Sequence, residues 1–170
     1  MDLGISGRTA ILLGSSRGLG RACAESIARE GVHVVVNGRT AADVERAAHE
    51  LSSAHGVKAT AVVGDAGDSD TQQRLLKAAP TPDIVLLNGA GPSPAKFGDL
   101  TPEAWSEALN NGLVGPLSFV QLVLPGMCER RFGRIVAISS AMVKSPNSLM
   151  SLSHGTRLGL SGVLKGISKD

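Results

Sequence analysis

The sequence predicts an α/β domain built on a doubly wound parallel sheet. Three observations predict it. Short runs rich in Val, Ile and Leu recur along the chain, each the length of a strand buried on both faces. Segments with helical spacing of apolar residues separate these runs. A glycine-rich turn joins the first run directly to the first helical segment. A repeated strand–helix–strand order with short connections gives a parallel sheet with helices on its faces.

In chain order, strands are expected at Thr9 to Leu13, Val32 to Val36, Ala59 to Val63, Ile84 to Leu87 and Ile135 to Ile138. Helices are expected at Leu19 to Glu30, Ala41 to Ala54 and Ser69 to Ala79. A longer helical stretch follows from Pro102 to Arg130, and a last one from Leu149 to Lys169. Thr40 can cap the second helix and Asp68 the third; Thr101 can cap the fourth, with Pro102 at its first position. The 170 residues fit one domain with a real core, and no linker, repeat or low-complexity tract divides them. A hydrophobic content of 42% with 19% charge excludes a disordered chain. Aromatics are only 2%, so small residues, including 21 Gly, must fill the core by close packing. The absence of Tyr is a constraint on chemistry.

Other classes are set aside by composition. A net charge of +2 gives no footprint for nucleic acid, and the local cluster Arg130, Arg131 and Arg134 reads as the solvated end of a helix. Cys23 and Cys128 have neither metal-ligand spacing nor a disulfide framework, and Cys23 reads as a small buried hydrophobe. The N-terminus lacks the pattern of a signal peptide. The greasiest segment, Leu113 to Met127, is too short and too interrupted for a membrane span. The expectation is a cytoplasmic protein with no membrane, nucleic-acid or metal partner.

The turn Gly14-Ser15-Ser16-Arg17-Gly18-Leu19-Gly20 carries the functional signal. Gly14 permits a tight turn, Gly18 lets the backbone approach a pyrophosphate, and Gly20 lets the helix pack close on the strand. The free amides and dipole of the helix N-terminus then face the anion. A dinucleotide-binding, Rossmann-type domain over residues 1–170 is the reading.

The Gly-x-x-x-Gly-x-Gly spacing resembles that of the short-chain dehydrogenase/reductase family. So do Asp65-Ala66 after the third strand and Asn88-Gly89-Ala90-Gly91 after the fourth. Gly133 to Ser140 is similar to the family's fifth strand, which ends on a catalytic Ser. The resemblance runs from about Gly7 to Asp170. It implies hydride exchange between a nicotinamide dinucleotide and a small carbonyl or hydroxyl substrate. Asp65 and Ala66 would contact the adenine. NAD-specific relatives carry an acid near the end of the second strand, but here the chain reads Asn37-Gly38-Arg39-Thr40. Arg39, with Arg17 on its other side, suits a 2′-phosphate, so NADP (NADPH) is favoured over NAD.

The catalytic pattern then breaks. Alignment on these motifs puts the family's Asn, Ser, Tyr and Lys roles at Gly112, Ser140, Ser153 and Arg157, with Asn111 one residue from the first. An aliphatic hydroxyl is a far weaker acid than a phenol, and Arg157 stays charged. His154 lies about 100° around a helix from Ser153, which turns it away from that role. Ser153 to Arg157 resembles a β-ketoacyl-carrier-protein-reductase-like subgroup with Ser and Arg at the Tyr and Lys positions. The resemblance further implies that the chain is truncated after the family's sixth helix, lacking its C-terminal part. It also implies a homo-oligomer through the long helix and the final helix; Leu117, Val120, Leu124, Leu158 and Leu164 suit either that interface or the sheet. The expected function is an NADP-dependent oxidoreductase with a degenerate catalytic set. The alternatives are a non-catalytic dinucleotide-binding or sensor protein, and a scaffold that binds no cofactor.

Overall fold

The computed structural model describes residues 2–169. Five parallel strands stand in the order β3-β2-β1-β4-β5: β1 is Thr9–Leu12, β2 His33–Gly38, β3 Ala59–Val63, β4 Ile84–Leu87 and β5 Arg134–Ala137. The helices are α1 Gly18–Arg29, α2 Ala41–His55, α3 Ser69–Ala78, α4 Pro102–Leu109, α5 Gly115–Glu129 and α6 Ser151–Ile167. The doubly wound parallel sheet expected from the sequence is what the chain forms.

Side-chain alternation along each strand feeds two cores. Ala10 and Leu12 of β1, with Val34 and Val36 of β2, pack against Ala24 and Ala28 of α1 and Val44 and Leu51 of α2. Ile11, Val35 and Val85 point the other way, against Leu75 of α3, Phe119 and Val123 of α5 and Leu160 of α6. Cys23 is half-buried against the first core. Arg21 pairs with Glu25 at 2.6 Å and with Glu50 at 3.3 Å, and His55 also pairs with Glu25, bracing α1 to α2.

The structure corrects the long helix. Its Pro102 to Arg130 stretch is two α-helices joined by a π turn at Asn110–Val114. Pro116 has no N–H to offer the carbonyl of Gly112, so the ladder widens and Gly115 N donates to Asn110 O, five residues back. Two of the three expected caps also fail. Thr40 and Asp68 make no side-chain hydrogen bond to their helices. Thr101 does cap α4, its Oγ1 accepting from Ala104 N at 3.2 Å. The Glu103 carboxyl in that first turn lies below its ordinary range, held down by its own backbone N–H and by the Thr101 hydroxyl.

Helix α5 closes with Phe132 N donating to Met127 O at 3.1 Å and Arg131 N to Cys128 O at 2.9 Å. That pattern puts Arg131 in the left-handed region, at φ +53°, where glycine is the usual residue. The Pro102–Glu129 stretch has the length and apolarity to cross a membrane. Within it, Phe119, Val120, Val123 and Met127 pack in the second core. Of the five apolar residues left open between interface and sheet, Val120 is in the core and Leu117, Leu124 and Leu164 pack on it. Leu158 is exposed.

Candidate functional site

Strand order reverses between β1 and β4, and an open cleft of about 710 Å³ lies there, across the carboxyl ends of the strands. The turn from Gly14 to Gly20 borders it through Gly14, Ser16 and Arg17, while Gly18 and Gly20 are not among the lining residues. Gly14 sits at φ +56°, and a Cβ there would stand 2.7 Å from Asn88 O. Gly18, at φ +58°, has no atom within 4 Å of a Cβ position. Gly20 is the tightest: a Cβ would meet Gly14 O at 2.4 Å and Ser15 Cα at 2.9 Å. Arg17 precedes α1 and caps it with no side-chain bond, leaving the first-turn amides facing outward. Gly14, Ser16 and Arg17 line the cleft. Ser15 is buried beneath them, its hydroxyl donating to Leu12 O at 2.6 Å, and Leu19 is exposed on the solvent side.

Two asparagines grip this turn. Asn88 Nδ2 donates to Gly14 O at 2.8 Å, and Asn37 Oδ1 accepts from Gly14 N at 3.3 Å. Asn37 is fully buried, and its Nδ2 donates to Val62 O and Gly64 O, both at 3.1 Å. The sequence reading passed over Asn37; a polar residue inside an apolar strand was the available signal.

The rest of the expected dinucleotide set lines the same cleft: Arg39, Asp65, Ala66, Asn88, Gly89, Ala90 and Gly91. Asp65 Oδ1 accepts from Gly67 N at 2.9 Å. The Ala66 carbonyl accepts from buried Gln72, whose amide also reaches Gly115 O at 3.0 Å, tying the rim to α5. Arg17 and Arg39 form no ion pair among the described residues. Gly38, before Arg39, has no room for a side chain: a Cβ would stand 2.7 Å from Ser16 Oγ and 3.0 Å from Val44 Cγ2.

Of the three expected catalytic residues, Arg157 is among the residues lining the cleft, and Ser140 and Ser153 are not. Arg157 lines the cleft and donates through Nη1 to Ile138 O at 2.5 Å. Its Nη2 lies 3.7 Å from a Cβ position on Gly91. Ser140 follows β5, and its Oγ accepts from Met142 N at 3.2 Å. Ser153 is only 3% exposed and is not among the lining residues. Elsewhere on α6, small residues let it approach the π turn and α4 closely. A Cβ on Gly112 would stand 2.8 Å from Thr156 Cβ, and one on Gly155 would stand 3.1 Å from Trp105 Cζ3. An Asn side chain therefore has no space at 112, while Asn111 lines the cleft from the opposite, Gly67 side. His154 is tied to its own loop, Nε2 accepting from Asn147 N at 3.2 Å. Asp99 and Glu107 also line the cleft and were not anticipated. No cluster of His, Cys, Asp and Glu fit for a metal ion occurs among the described residues.

Residues 8–170 match the short chain dehydrogenase family. The chain is 30% identical over 161 residues to an uncharacterized oxidoreductase of Bacillus subtilis, covering 92% of this chain and 60% of that protein. It is 30% identical over 175 residues to the 3-oxoacyl-(acyl-carrier-protein) reductase of Aquifex aeolicus, covering 100% of this chain and 70% of that protein. Among solved structures, L-sorbose reductase of Gluconobacter frateurii, complexed with NADPH and L-sorbose, superposes with a TM-score of 0.94 at 26% identity. The match covers 99% of this chain and 66% of that one. The chain thus spans about 60–70% of the length of these relatives.

Proposed function

Because the chain belongs to the short chain dehydrogenase family, we propose that it is an NADP-dependent oxidoreductase acting on a carbonyl or hydroxyl group of a small molecule, with a degenerate catalytic set. One observation carries the reading: the clamped Gly14–Gly20 turn opens onto a cleft of dinucleotide size at the sheet's switch point. The residues present fit the cofactor. Glycines stand where a Cβ would fill the cradle, and first-turn amides of α1 meet a pyrophosphate. Asp65 and Ala66 flank the adenine position, and Asn88 to Gly91 the ribose side. When bound, the dinucleotide supplies or accepts a hydride.

The choice of NADP rests on charge and space. Arg17 and Arg39 are free to bond a 2′-phosphate, and the ribose-binding acid of NAD enzymes has no room at Gly38. At the substrate end, Ser140 Oγ accepts from Met142 N and keeps its own hydrogen to donate to a carbonyl oxygen. Arg157, anchored on Ile138 O, offers its remaining N–H groups to a ribose hydroxyl. With Ser153 buried and Arg157 permanently charged, neither supplies the proton that completes a reduction.

A second copy docking on exposed Val114, Leu122, Leu158 and Val163 belongs to the same reading, and size-exclusion chromatography tests it. Calorimetric titration with NADPH and NADH tests the cofactor: tighter NADPH binding is expected, and equal affinities end the Arg39 argument. Turnover on an aldehyde and ketone panel, reduced by Ser140→Ala, tests the chemistry. Cofactor binding with no turnover on any member replaces the oxidoreductase with a non-catalytic dinucleotide-binding protein.

A further inference from the structure

Gly14 has left strand β1, which ends at Leu12, so no sheet ladder fixes its peptide. Two side chains bond its N–H and its carbonyl. Asn88 holds the carbonyl from β4, and Asn37 meets the N–H from β2, on the other side of β1. We infer that Asn37 is a positioning residue for dinucleotide binding, setting the Gly14 peptide and through it the phosphate-facing turn. The inference rests on the proposed dinucleotide site.

The geometry uses the whole carboxamide. Oδ1 accepts from Gly14 N, while the two Nδ2 hydrogens go to Val62 O and Gly64 O at the end of β3. The main chain of Asn37 is engaged as well. Its N–H donates to Ser15 Oγ at 3.2 Å, and its carbonyl accepts from Ser15 N at 2.8 Å. One buried residue therefore joins β3, β2 and two successive residues of the turn.

Residue chemistry makes this hard to replace. Aspartate keeps an acceptor for Gly14 N but turns an oxygen toward two carbonyls. An aliphatic side chain leaves one N–H and two C=O groups without their present partners in a nearly closed space. The loss falls where Gly14, at φ +56°, has least else to hold it. Asn37 lies outside the glycine pattern, and its main chain would support the sheet with any side chain.

The test separates turn placement from sheet support. Asn37→Ala and Asn37→Ser are compared with the unaltered chain, well below their melting temperatures, by calorimetry with NADPH and with adenosine 2′-monophosphate. The second ligand carries the 2′-phosphate assigned to Arg17 and Arg39 but no pyrophosphate. At least tenfold weaker NADPH binding is expected in a folded variant, with a smaller loss for the monophosphate. Amide exchange in the ligand-free chain gives a second readout. Protection at Gly14 should fall at least tenfold, while Ile11, Leu12 and Ser15, whose N–H is held by the Asn37 main-chain carbonyl, keep theirs. Unchanged exchange at Gly14 overturns the inference, as does exchange that rises through all of β1. Equal loss of both ligands also overturns it. An unaltered chain that binds no NADPH sinks the proposed function instead, and the exchange result still decides the role of Asn37.

Discussion

Replacing Gly20 by Ala places one methyl group where the turn and α1 touch. It would stand 2.4 Å from Gly14 O, 2.7 Å from Asn88 Nδ2 and 2.9 Å from Ser15 Cα. Two of those neighbours are backbone atoms of the turn and cannot swing aside. Overpacking of this kind costs about 1–3 kcal/mol. The helix-propensity gain of Ala over Gly returns at most about 1 kcal/mol, and less in a first turn. A net loss of about 1–2 kcal/mol in a 170-residue chain lowers Tm by roughly 2–8 °C. The only atom able to retreat is Asn88 Nδ2, and its retreat breaks the bond to Gly14 O. NADPH affinity should therefore fall at least tenfold, about 1.4 kcal/mol. Differential scanning fluorimetry and calorimetry read the two effects. Gly18→Ala is the contrast, since its methyl meets nothing within 4 Å and only the backbone strain of φ +58° is added. A Gly20→Ala variant with unchanged Tm and NADPH affinity within twofold would refute the packing argument.

Other expectations address separate parts of the molecule. Arg131→Gly relieves the left-handed strain at the end of α5 by about 1 kcal/mol and should raise Tm by roughly 2–4 °C in a thermal melt. Gly112→Asn should destabilise the chain by about 1–3 kcal/mol, and adding Thr156→Gly should recover part of that loss. Strict additivity in the denaturation cycle would show that the two sites do not share space. The Glu25 carboxyl lies below its ordinary value of 4.5, chiefly through its bond to Arg21 and then through His55. Its folded form therefore favours the charged state, and this stabilisation is present above pH 4.5 and lost as pH falls through the lowered folded value. Urea midpoints between pH 6 and pH 3 should fall less steeply for Glu25→Gln than for the unaltered chain, and parallel curves would discount the pair.

The sheet and the phosphate-facing turn were legible because each rests on a local rule. Buried strands need continuous apolar runs, and the Gly14–Gly20 spacing serves a turn that leads into a helix. What stayed hidden depends on contacts distant in sequence. Pro116 marks the break in the long helix, but its effect runs through a carbonyl four residues earlier. Asn37 looked like one polar residue at a strand end, and its partners lie in the turn and in β3. Ser153 was given a catalytic role by alignment, but its side chain is buried and it is not among the residues lining the cleft. Thr40 and Asp68 have the chemistry of caps, but neither forms the bond.

The α4–α6 joint has an optical consequence. The chain holds one Trp and no Tyr, and the Trp105 ring rests against the Gly155 backbone at that joint. Excited near 295 nm, the protein has a single emitter, and its spectrum reports the seating of α6 on α4 with no background from elsewhere in the chain. A helix that carries Arg157 into the cleft can thus be followed in real time, without a label, while a ligand is added on its other side.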